Sequence, residues 1–447
     1  MPEIKIFAVT GNPILHSKSP AMHNAAFRKL RMNAVYTRLL AQNADEALNT
    51  AKEIGISGLN ITAPFKEDFL NLANKLDSKS KEIGAVNTIV FKKNKILGFN
   101  TDIDGISLAL KSNKINPKGK DIVILGAGGA AKATVCALAD KADVTILNRR
   151  LDFEKAERLA EKFDCKAYSL EDKKMLPKIL QETDIIVSCV STAERIIPSE
   201  LLSKKMVILD ANYSTITALQ KDAKQKGCKV IDGREWLLFQ GAEAFEIFSG
   251  KKAQIKEMRN AIFSTNSNAE KSNTRKMENI SLIGFMGTGK SAVASKIAKK
   301  SKMRHIEIDE NIEKNAGISI KGIFEKFGEK KFRAFESEEL METLRCKNKV
   351  ISCGGGIVLN DKNVNLLKSN SIVAWLWANP ETILKRVKGN ARPLLNVADK
   401  KKKIKELLSE RIGKYANACD FLVNSNKKKP EEIAKVILDE INKTKQN

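Results

Sequence analysis

Two glycine-rich segments in this chain have the composition and spacing of phosphate-binding loops. One follows the apolar run 122–125 and consists of Gly126, Ala127, Gly128, Gly129 and Ala130. The other follows the run 280–283 and contains Gly284, Gly287, Thr288, Gly289, Lys290 and Ser291. A glycine turn between a strand and a helix lets the N–H groups of the helix N-terminus bind phosphate. The sequence therefore predicts two nucleotide sites in one polypeptide.

The first segment has the G-x-G form of a dinucleotide turn, although such a turn can also serve packing alone. The residues after the next strand separate the two cofactor types. An NAD site favours an acid about 20 residues after the loop, whereas this chain has Asn148, Arg149 and Arg150 there. Guanidinium groups suit a 2′-phosphate, so the sequence favours NADP(H) over NAD.

The second segment fits the complete G-x-x-x-x-G-K-S pattern. Its backbone N–H groups would surround the phosphates of ATP, with Lys290 reaching the terminal phosphates and Ser291 coordinating Mg²⁺. A loop that serves packing alone is the weaker alternative. The pattern predicts the nucleotide and the metal, and leaves the phosphoryl acceptor open.

Other polar residues lie at the ends of predicted strands and in turns. Upstream of the first loop they are Ser17, Ser19, Asn60, Thr62, Lys66, Asn87 and Asp102, and around the second they are Asp309, Arg333, Gly354, Gly355, Gly356, Arg392 and Arg411. Each has an ordinary structural explanation. Serines cap helices, asparagines form turns, and Arg333 could pair with Glu329 or Glu336 on its own helix.

The order of apolar runs and amphipathic stretches predicts an α/β protein built on parallel sheets covered by helices. We expect an α/β substrate domain at 1–103, a Rossmann domain with returning C-terminal helices at 104–263, and a three-layer αβα P-loop domain at 277–447. The polar stretch 264–276 reads as a flexible linker that keeps the two halves close without docking them rigidly.

The net charge of +25 comes from lysines spread among acidic residues over 447 positions. We therefore expect neither a nucleic-acid nor a membrane partner, although a basic ATPase that binds nucleic acid is the alternative to exclude. The seven cysteines have no ligand-like spacing, which favours reduced thiols and a cytoplasmic protein. The sequence has no run of about 18 apolar residues and no leader pattern. It leaves monomer and homodimer both open.

Taken in order, the motifs of the first half resemble shikimate dehydrogenase. The resemblance rests on S-K-S-P at 17–20, N-I-T-A-P-F-K at 60–66, N-T-D at 100–102, the glycine loop, and Q-G-A at 240–242. It implies that NADPH reduces 3-dehydroshikimate, with Ser17 and Ser19 binding the substrate carboxylate. The hydroxyls would be held by Asn60, Thr62, Asn87 and Gln240.

The same resemblance makes Lys66 and Asp102 the catalytic pair. An ammonium beside the reacting oxygen stabilises and can protonate the developing alkoxide. Tyr213 would lie near substrate and nicotinamide, and Gly233 would contact the cofactor. His16 and His23 are expected to be structural. The stretch 191–194 departs from the shorter family turn and leaves the loop on the nicotinamide side uncertain.

The second half resembles shikimate kinase throughout its length. The resemblance implies that Arg333 and Arg411 bind the carboxylate of shikimate and that Asp309 orients or deprotonates the attacking hydroxyl. Gly354, Gly355 and Gly356 would let the backbone approach the ring of shikimate. Arg392, on a lid, would neutralise charge on the transferred phosphoryl group. Glu307 is a departure, because the family generally carries Asp there.

The two resemblances predict one bifunctional enzyme of aromatic amino-acid biosynthesis, since the product of the first reaction is the substrate of the second. A quinate/shikimate dehydrogenase of broad specificity and a fusion with one inactive half are the alternatives.

Overall fold

The computed structural model describes residues 4–93, 95–264, 278–387, 395 and 397–446. The expected linker, apart from Ser264, lies outside these residues, as does the start of the expected kinase domain at Met277.

Strands and helices alternate along most of the described chain. The strands are β1 Lys5–Gly11, β2 Ala34–Leu40, β3 Gly58–Ile61, β4 Lys75–Leu76, β5 Thr88–Lys92, β6 Lys95–Phe99, β7 Asp121–Leu125, β8 Asp143–Asn148, β9 Lys166–Ser169, β10 Ile185–Ser188, β11 Val207–Asp210, β12 Lys229–Asp232, β13 Asn279–Ile283, β14 Arg304–Glu307, β15 Lys349–Ser352, β16 Ile372–Trp377 and β17 Phe421–Asn424.

The α-helices up to residue 263 are Ser19–Lys29, Ala44–Ile54, Phe69–Leu72, Ser78–Ile83, Asp102–Ser112, Gly129–Leu138, Phe153–Lys162, Met175–Glu182, Ala218–Gln225, Gly233–Ser249 and Ile255–Phe263. Those after residue 278 are Lys290–Ser301, Ile308–Ala316, Ile320–Leu344, Asp361–Asn370, Pro380–Arg386, Lys400–Ala418 and Pro430–Gln446. Short 3₁₀ turns occur at Arg150–Asp152, Ser199–Leu201 and Ile357–Leu359. The helix Ile320–Leu344 is broken at Gly328, whose φ is 76°.

The chain divides into two compact units. The first comprises residues 1–20, 32–57 and 264–446, and the second comprises 21–31 and 58–263. The first unit therefore combines the beginning of the expected substrate domain with the expected kinase domain. The domain boundaries expected from the sequence stay predictions.

In the first unit, strands of the described chain form parallel pairs in the order β14-β15-β13-β16-β17-β2-β1. The strand β13 lies between β15 and β16, so the loop after it opens within the sheet and not at its edge. Every residue of β13, β15, β16 and β17 is buried. This is the pattern of parallel strands covered on both faces.

The second unit holds two sheets. Strands β3, β5 and β6 form a small antiparallel sheet to which β4 adds in parallel. The parallel sheet has the order β12-β11-β10-β7-β8-β9. The order reverses between β7 and β10, which is where open α/β sheets bind ligands at the carboxyl ends of their strands. The expected dinucleotide loop follows β7 at this point.

Candidate active sites

Lys66 and Asp102 form an ion pair in the second unit. The Lys66 Nζ lies 2.6 Å from the Asp102 Oδ2, and the two side chains are 18% and 9% exposed. Lys66 follows β3, and Asp102 begins the helix Asp102–Ser112. Two elements far apart in sequence therefore place an ammonium and a carboxylate together, with little access to water. Such a pair can hold a proton donor beside a reacting oxygen.

Backbone contacts fix the position of Asp102. Its N–H donates to the Asn100 Oδ1 at 3.0 Å, and its carbonyl accepts from the Trp236 Nε1 at 3.0 Å. The Asn100 side chain also donates to the carbonyl of Ala85 at 2.9 Å. These buried hydrogen bonds to Asn100 and Trp236 therefore hold the Asp102 carboxylate next to Lys66.

A buried polar network lies beside this pair. The Asn87 Oδ1 accepts from the Thr101 N–H at 2.9 Å, and the Asn60 Nδ2 donates to the Thr88 Oγ1 at 2.9 Å. The Thr101 Oγ1 lies 3.5 Å from the Gln240 Oε1. Asn60, Asn87 and Gln240 are therefore linked through two threonines, Thr88 and Thr101, to which the resemblance assigned no role. Threonine is too common at strand ends to be selected from the sequence alone.

The glycine loop after β7 has the geometry of a dinucleotide turn. Gly126 has φ of 98°, and a side chain on it would lie 3.1 Å from Val190. A Cβ at Gly128 would have nothing within 4 Å, while one at Gly129 would lie 3.4 Å from the Lys66 Cδ. Gly129 starts the helix Gly129–Leu138. The N-terminus of that helix therefore opens beside Lys66, with Ala127 and Ala130 lining the turn.

The residues after β8 lie on the surface. The Arg149 guanidinium is 66% exposed and lies 2.6 Å from Asp152, which also bonds to Lys155. Asn148 is buried and donates to the Asp152 carbonyl at 2.7 Å. The Arg150 N–H donates to Glu171 at 2.9 Å. The two exposed arginines Arg149 and Arg150 thus directly follow β8.

Gly233 has a packing role of its own. It begins the helix Gly233–Ser249, and a Cβ on it would lie 2.4 Å from the backbone carbonyl of Asp210. Tyr213 lies half-buried in the segment after β11, and Thr62 lies half-buried after β3. The cofactor and substrate contacts expected of these three residues stay predictions.

His23 lies in an aromatic cluster, as expected of a structural histidine. It is fully buried, with its ring centroid 6.4 Å from Phe27, 6.2 Å from Phe245 and 6.0 Å from Phe248. Burial lowers the pKa of the imidazole to about 3. A group that stays neutral throughout the physiological range is poorly suited to exchange protons.

Ser17 and Ser19 lie in the first unit. Both are 4% exposed, and the Ser17 Oγ lies 3.3 Å from the Ser19 Oγ. The Ser19 N–H also lies 3.3 Å from the Ser17 Oγ. The two hydroxyls are therefore adjacent and can both donate to one carboxylate.

The second glycine loop follows β13 and leads into the helix Lys290–Ser301. Gly284, Gly287 and Gly289 have φ of 144°, 80° and 95°. A Cβ on Gly284 would lie 2.4 Å from the Leu376 carbonyl, so no larger residue fits there. The buried Lys290 Nζ donates to the carbonyls of Gly284 and Phe285 at 2.9 and 3.0 Å. The Thr288 hydroxyl donates to the Phe285 carbonyl at 2.8 Å and supports the turn.

Two side-chain oxygen atoms, from Glu307 and Ser352, lie close to the Ser291 hydroxyl. Its Oγ donates to the Glu307 Oε2 at 3.1 Å and lies 3.4 Å from the Ser352 Oγ. Burial raises the pKa of Glu307, while hydrogen bonds from Ser352 and Ser291 act in the opposite direction. Hydroxyl and carboxylate oxygens are ligands that suit Mg²⁺. These residues therefore fit that ion, and the Glu307 carboxylate reaches Ser291 although this side chain is longer than the Asp typical of the family.

A cavity of about 480 Å³ opens in the same unit. Its lining includes Asp309, Arg333, Glu336, Arg411 and the three glycines Gly354, Gly355 and Gly356. The cavity can hold a small molecule between carboxylates and guanidinium groups. The site residues that the sequence singled out beyond β14 thus come together, with Arg392 lying outside the described residues.

Two arginines enter this cavity from different helices. The Arg333 guanidinium lies 3.0 Å from Glu329 and 2.8 Å from Glu336. Arg411 is 4% exposed and donates to the Gly355 carbonyl at 3.4 Å. The ion pairs considered as an alternative for Arg333 do form, and they present its guanidinium to the cavity. Burial raises the pKa of Glu336, and the charge of Arg333 opposes this shift.

In the described part of the chain, no helix is long and apolar enough to cross a membrane.

Comparison with known protein families agrees with this geometry. Residues 9–89 match the model of the shikimate dehydrogenase substrate binding domain, 107–215 match shikimate / quinate 5-dehydrogenase, and 233–263 match the shikimate 5'-dehydrogenase C-terminal domain. Residues 286–442 match the shikimate kinase model.

Individual relatives match the first part of the chain. The NADP(+) shikimate dehydrogenase of Pyrococcus furiosus is 38% identical over 263 residues, which are 58% of this chain and 94% of the relative. A shikimate dehydrogenase solved in complex with NADP+ aligns with a TM-score of 0.53 and 36% identity, over 58% of this chain and 94% of its own. The Thermus thermophilus enzyme, solved with NADP(H) and shikimate, aligns with a TM-score of 0.52 and 32% identity, covering 58% and 98%.

The matches account for both sites, because Lys66 and the glycine loop lie within the dehydrogenase matches, with Asp102 between two of them, and the second loop and its cavity lie largely within the kinase match. The chain therefore belongs to the shikimate dehydrogenase family through residue 263 and carries a shikimate kinase domain after it, so that it is a bifunctional enzyme of the shikimate pathway.

Proposed function

We propose that this chain reduces 3-dehydroshikimate to shikimate with NADPH and then phosphorylates shikimate with ATP and Mg²⁺. The observation that carries the proposal is the presence of a proton-donating Lys66–Asp102 pair beside a dinucleotide turn in the same chain as an acid- and arginine-lined cavity of a shikimate kinase domain. The first reaction makes the compound that the second consumes.

In the reduction, NADPH supplies the hydride when it is bound. Lys66 then donates its proton to the ketone oxygen of the substrate, where negative charge develops, and Asp102 holds the ammonium in line. Ser17 and Ser19 bind the substrate carboxylate. Asn60, Thr62, Asn87 and Gln240 hold hydroxyls, and Tyr213 closes the nicotinamide side.

The cofactor proposal rests on the exposed cations after β8. The Arg149 and Arg150 side chains would bind the 2′-phosphate, while the turn from Gly126 to Ala130, Asn148 and Gly233 would contact the rest of the dinucleotide. Relatives described as NADP(+) enzymes support this assignment. Oxidation of NADPH much faster than that of NADH at equal concentration is the expected result, and equal rates would contradict the proposal.

In the phosphorylation, the protein acts by positioning and by charge. Arg333 and Arg411 bind the carboxylate of shikimate, and Asp309 accepts the proton of the attacking hydroxyl. Lys290 and Arg392 neutralise charge on the transferred group. Ser291 would hold Mg²⁺ with support from Glu307, and the N–H groups of Gly287, Thr288 and Gly289 surround the phosphates.

We also propose a cytoplasmic enzyme. All seven cysteines lie in the described residues, and none of them forms a disulfide. Free thiols in this number are typical of a reducing compartment.

A single incubation tests both reactions. The purified chain would receive 3-dehydroshikimate, NADPH, ATP and Mg²⁺, and the products would be identified by mass spectrometry while NADPH is followed by absorbance. We expect shikimate 3-phosphate. Lys66→Met should slow NADPH loss by about 10²- to 10⁴-fold while added shikimate is still phosphorylated, and Lys290→Met should let shikimate accumulate. Faster reduction of dehydroquinate than of dehydroshikimate would favour a quinate enzyme instead.

A further inference from the structure

The segment that carries Ser17 and Ser19 is held by a residue of the kinase domain. Glu440 lies on the helix Pro430–Gln446, and its Oε1 accepts the N–H of Ile14 at 2.7 Å and that of Leu15 at 2.6 Å. Glu440 is 1% exposed, and Ile14 is fully buried. A carboxylate shielded from water therefore fixes two consecutive N–H groups at the start of this segment.

Arg38 holds the same segment at Ser17. This residue lies on β2, and its Nε and one Nη donate to the Ser17 carbonyl at 3.1 and 2.6 Å. The other Nη donates to the carbonyl of Asp420 at 2.9 Å. Asp420 precedes β17, and its carboxylate accepts the Val373 N–H at 2.9 Å. The guanidinium thus ties Ser17 to the last strand of the kinase domain.

The segment between these two anchors is closed by its own hydrogen bonds. The Ser17 N–H donates to the Ile14 carbonyl at 3.0 Å. The hydroxyls of Ser17 and Ser19 contact each other, and the Ser19 N–H contacts the Ser17 Oγ. A displacement at Ile14 would therefore be passed to the serine hydroxyls.

We propose that Glu440 and Arg38 are positioning residues of the dehydrogenase, through which the kinase domain holds Ser17 and Ser19 in place for the shikimate carboxylate. The proposal rests on the function proposed above for the two serines. Neither Glu440 nor Arg38 touches shikimate. They act through the backbone, and a displacement on the order of 1 Å in a binding group can cost about 100-fold in rate.

The test compares the two shikimate sites of one protein. Glu440→Ala in the full chain removes the acceptor of two buried N–H groups. We expect the KM for shikimate in NADP+ reduction to rise roughly tenfold, as for a lost charged hydrogen bond. The KM for NADP+ and the KM for shikimate in the kinase reaction should stay within about twofold. Glu440→Gln keeps a carbonyl oxygen and should restore most of the lost affinity.

Asp439→Ala provides the matched control, because Asp439 is an exposed carboxylate on the same helix. A Glu440→Ala enzyme with an unchanged KM for shikimate in the dehydrogenase reaction would overturn the proposal. If that variant does not fold, Arg38→Lys decides by the same criterion, since an ammonium cannot span both carbonyls. A wild-type chain without shikimate-dependent NADP+ reduction would instead refute the proposed function.

Discussion

The Lys66–Asp102 pair combines shielding from water with a firm backbone frame. The carboxylate is 9% exposed, and its backbone is held by Asn100 and Trp236. Because the frame does not depend on the charge of Lys66, a substitution there should change the chemistry more than the geometry.

Lys66→Met should lower kcat of the dehydrogenase by about 10²- to 10⁴-fold, the usual loss when a general acid is removed. Methionine fills most of the space of the lysine stem without its ammonium, so the KM for shikimate should change far less. The measurement is the steady-state rate of NADPH formation from shikimate. An unchanged KM for NADP+ in the same sample serves as the control for folding of the second unit, and a kcat within threefold of the wild type would contradict the role of Lys66.

We expect His23 to make the second unit sensitive to acid. Its folded pKa is about 3, whereas the ordinary value is 6.5, because burial disfavours the imidazolium. The stability that neutral His23 contributes is fully present above pH 6.5. It is lost as the pH falls from there toward 3, since the unfolded chain then binds a proton that the folded chain cannot bind.

His23→Leu should remove this dependence. Between pH 7 and pH 5.5, the free energy of unfolding of the wild type should fall by about 1 kcal/mol more than that of the variant. Urea unfolding followed by fluorescence at the two pH values provides the measurement. Equal losses in both proteins would show that His23 is not the group responsible.

At the scale of elements, the glycines after β15 leave space for the charged side chains that line the kinase cavity. A Cβ on Gly354 would lie 2.4 Å from the Glu336 Oε1, and one on Gly356 would lie 2.3 Å from the Arg333 guanidinium. The glycines therefore let this segment pass against the helix Ile320–Leu344, which carries both charged residues. Arg333 can approach the cavity only because this position has no side chain.

Gly356→Ala should displace the Arg333 guanidinium and raise the KM for shikimate in the kinase reaction roughly 10- to 100-fold. The KM for ATP should change little, because the loop after β13 is untouched. Initial rates of ADP formation at varied shikimate provide the measurement. Gly322→Ala is the matched control, since a Cβ there has no atom closer than 3.5 Å. Equal KM values for shikimate in the two variants would show that a side chain at position 356 does not displace Arg333.

At the scale of the whole molecule, the most informative feature is that the kinase sheet continues into the first strands of the chain. Leu422 and Val423 of β17 pair in parallel with Leu39 and Leu40 of β2. Polar side chains support this pairing. The Asn424 Nδ2 donates to the Thr50 hydroxyl at 2.7 Å, and Lys428 forms an ion pair with Glu46.

Glu53 is the centre of these contacts. It accepts hydrogen bonds from the Trp377 Nε1 at 2.9 Å, the Asn379 Nδ2 at 3.1 Å and the Asn426 Nδ2 at 2.9 Å. Trp377 is 2% exposed, whereas Glu53 itself lies on the surface.

Glu53→Ala should lower the free energy of unfolding by about 1 kcal/mol, because three donors exchange a charged acceptor for water. Both activities should be lost at a lower temperature, since residues 32–57 and the kinase domain share one compact unit. Heat-inactivation midpoints of the two reactions provide the measurement. Lys52→Ala, an exposed neighbour, should leave both midpoints unchanged. A shift in one activity alone would contradict a shared unit.

The sequence by itself determined the local features. The two glycine loops, the arginines after β8 and the alternation of strands and helices depend on residues that are neighbours in the chain, and local backbone sterics and periodicity are readable there. The order of motifs was sufficient to indicate both families.

The tertiary structure alone decided how distant parts meet. The sequence predicted a flexible tether at 264–276, which lies outside the described residues apart from Ser264, and it did not indicate that the first strands lie in one compact unit with the kinase domain. Pairing of two strand edges uses backbone groups that every residue except proline possesses, so it leaves little signature in residue types. The contacts of Glu440 were likewise not predictable from the sequence. Its partners are the backbone N–H groups of Ile14 and Leu15, which only the fold brings close to this helix.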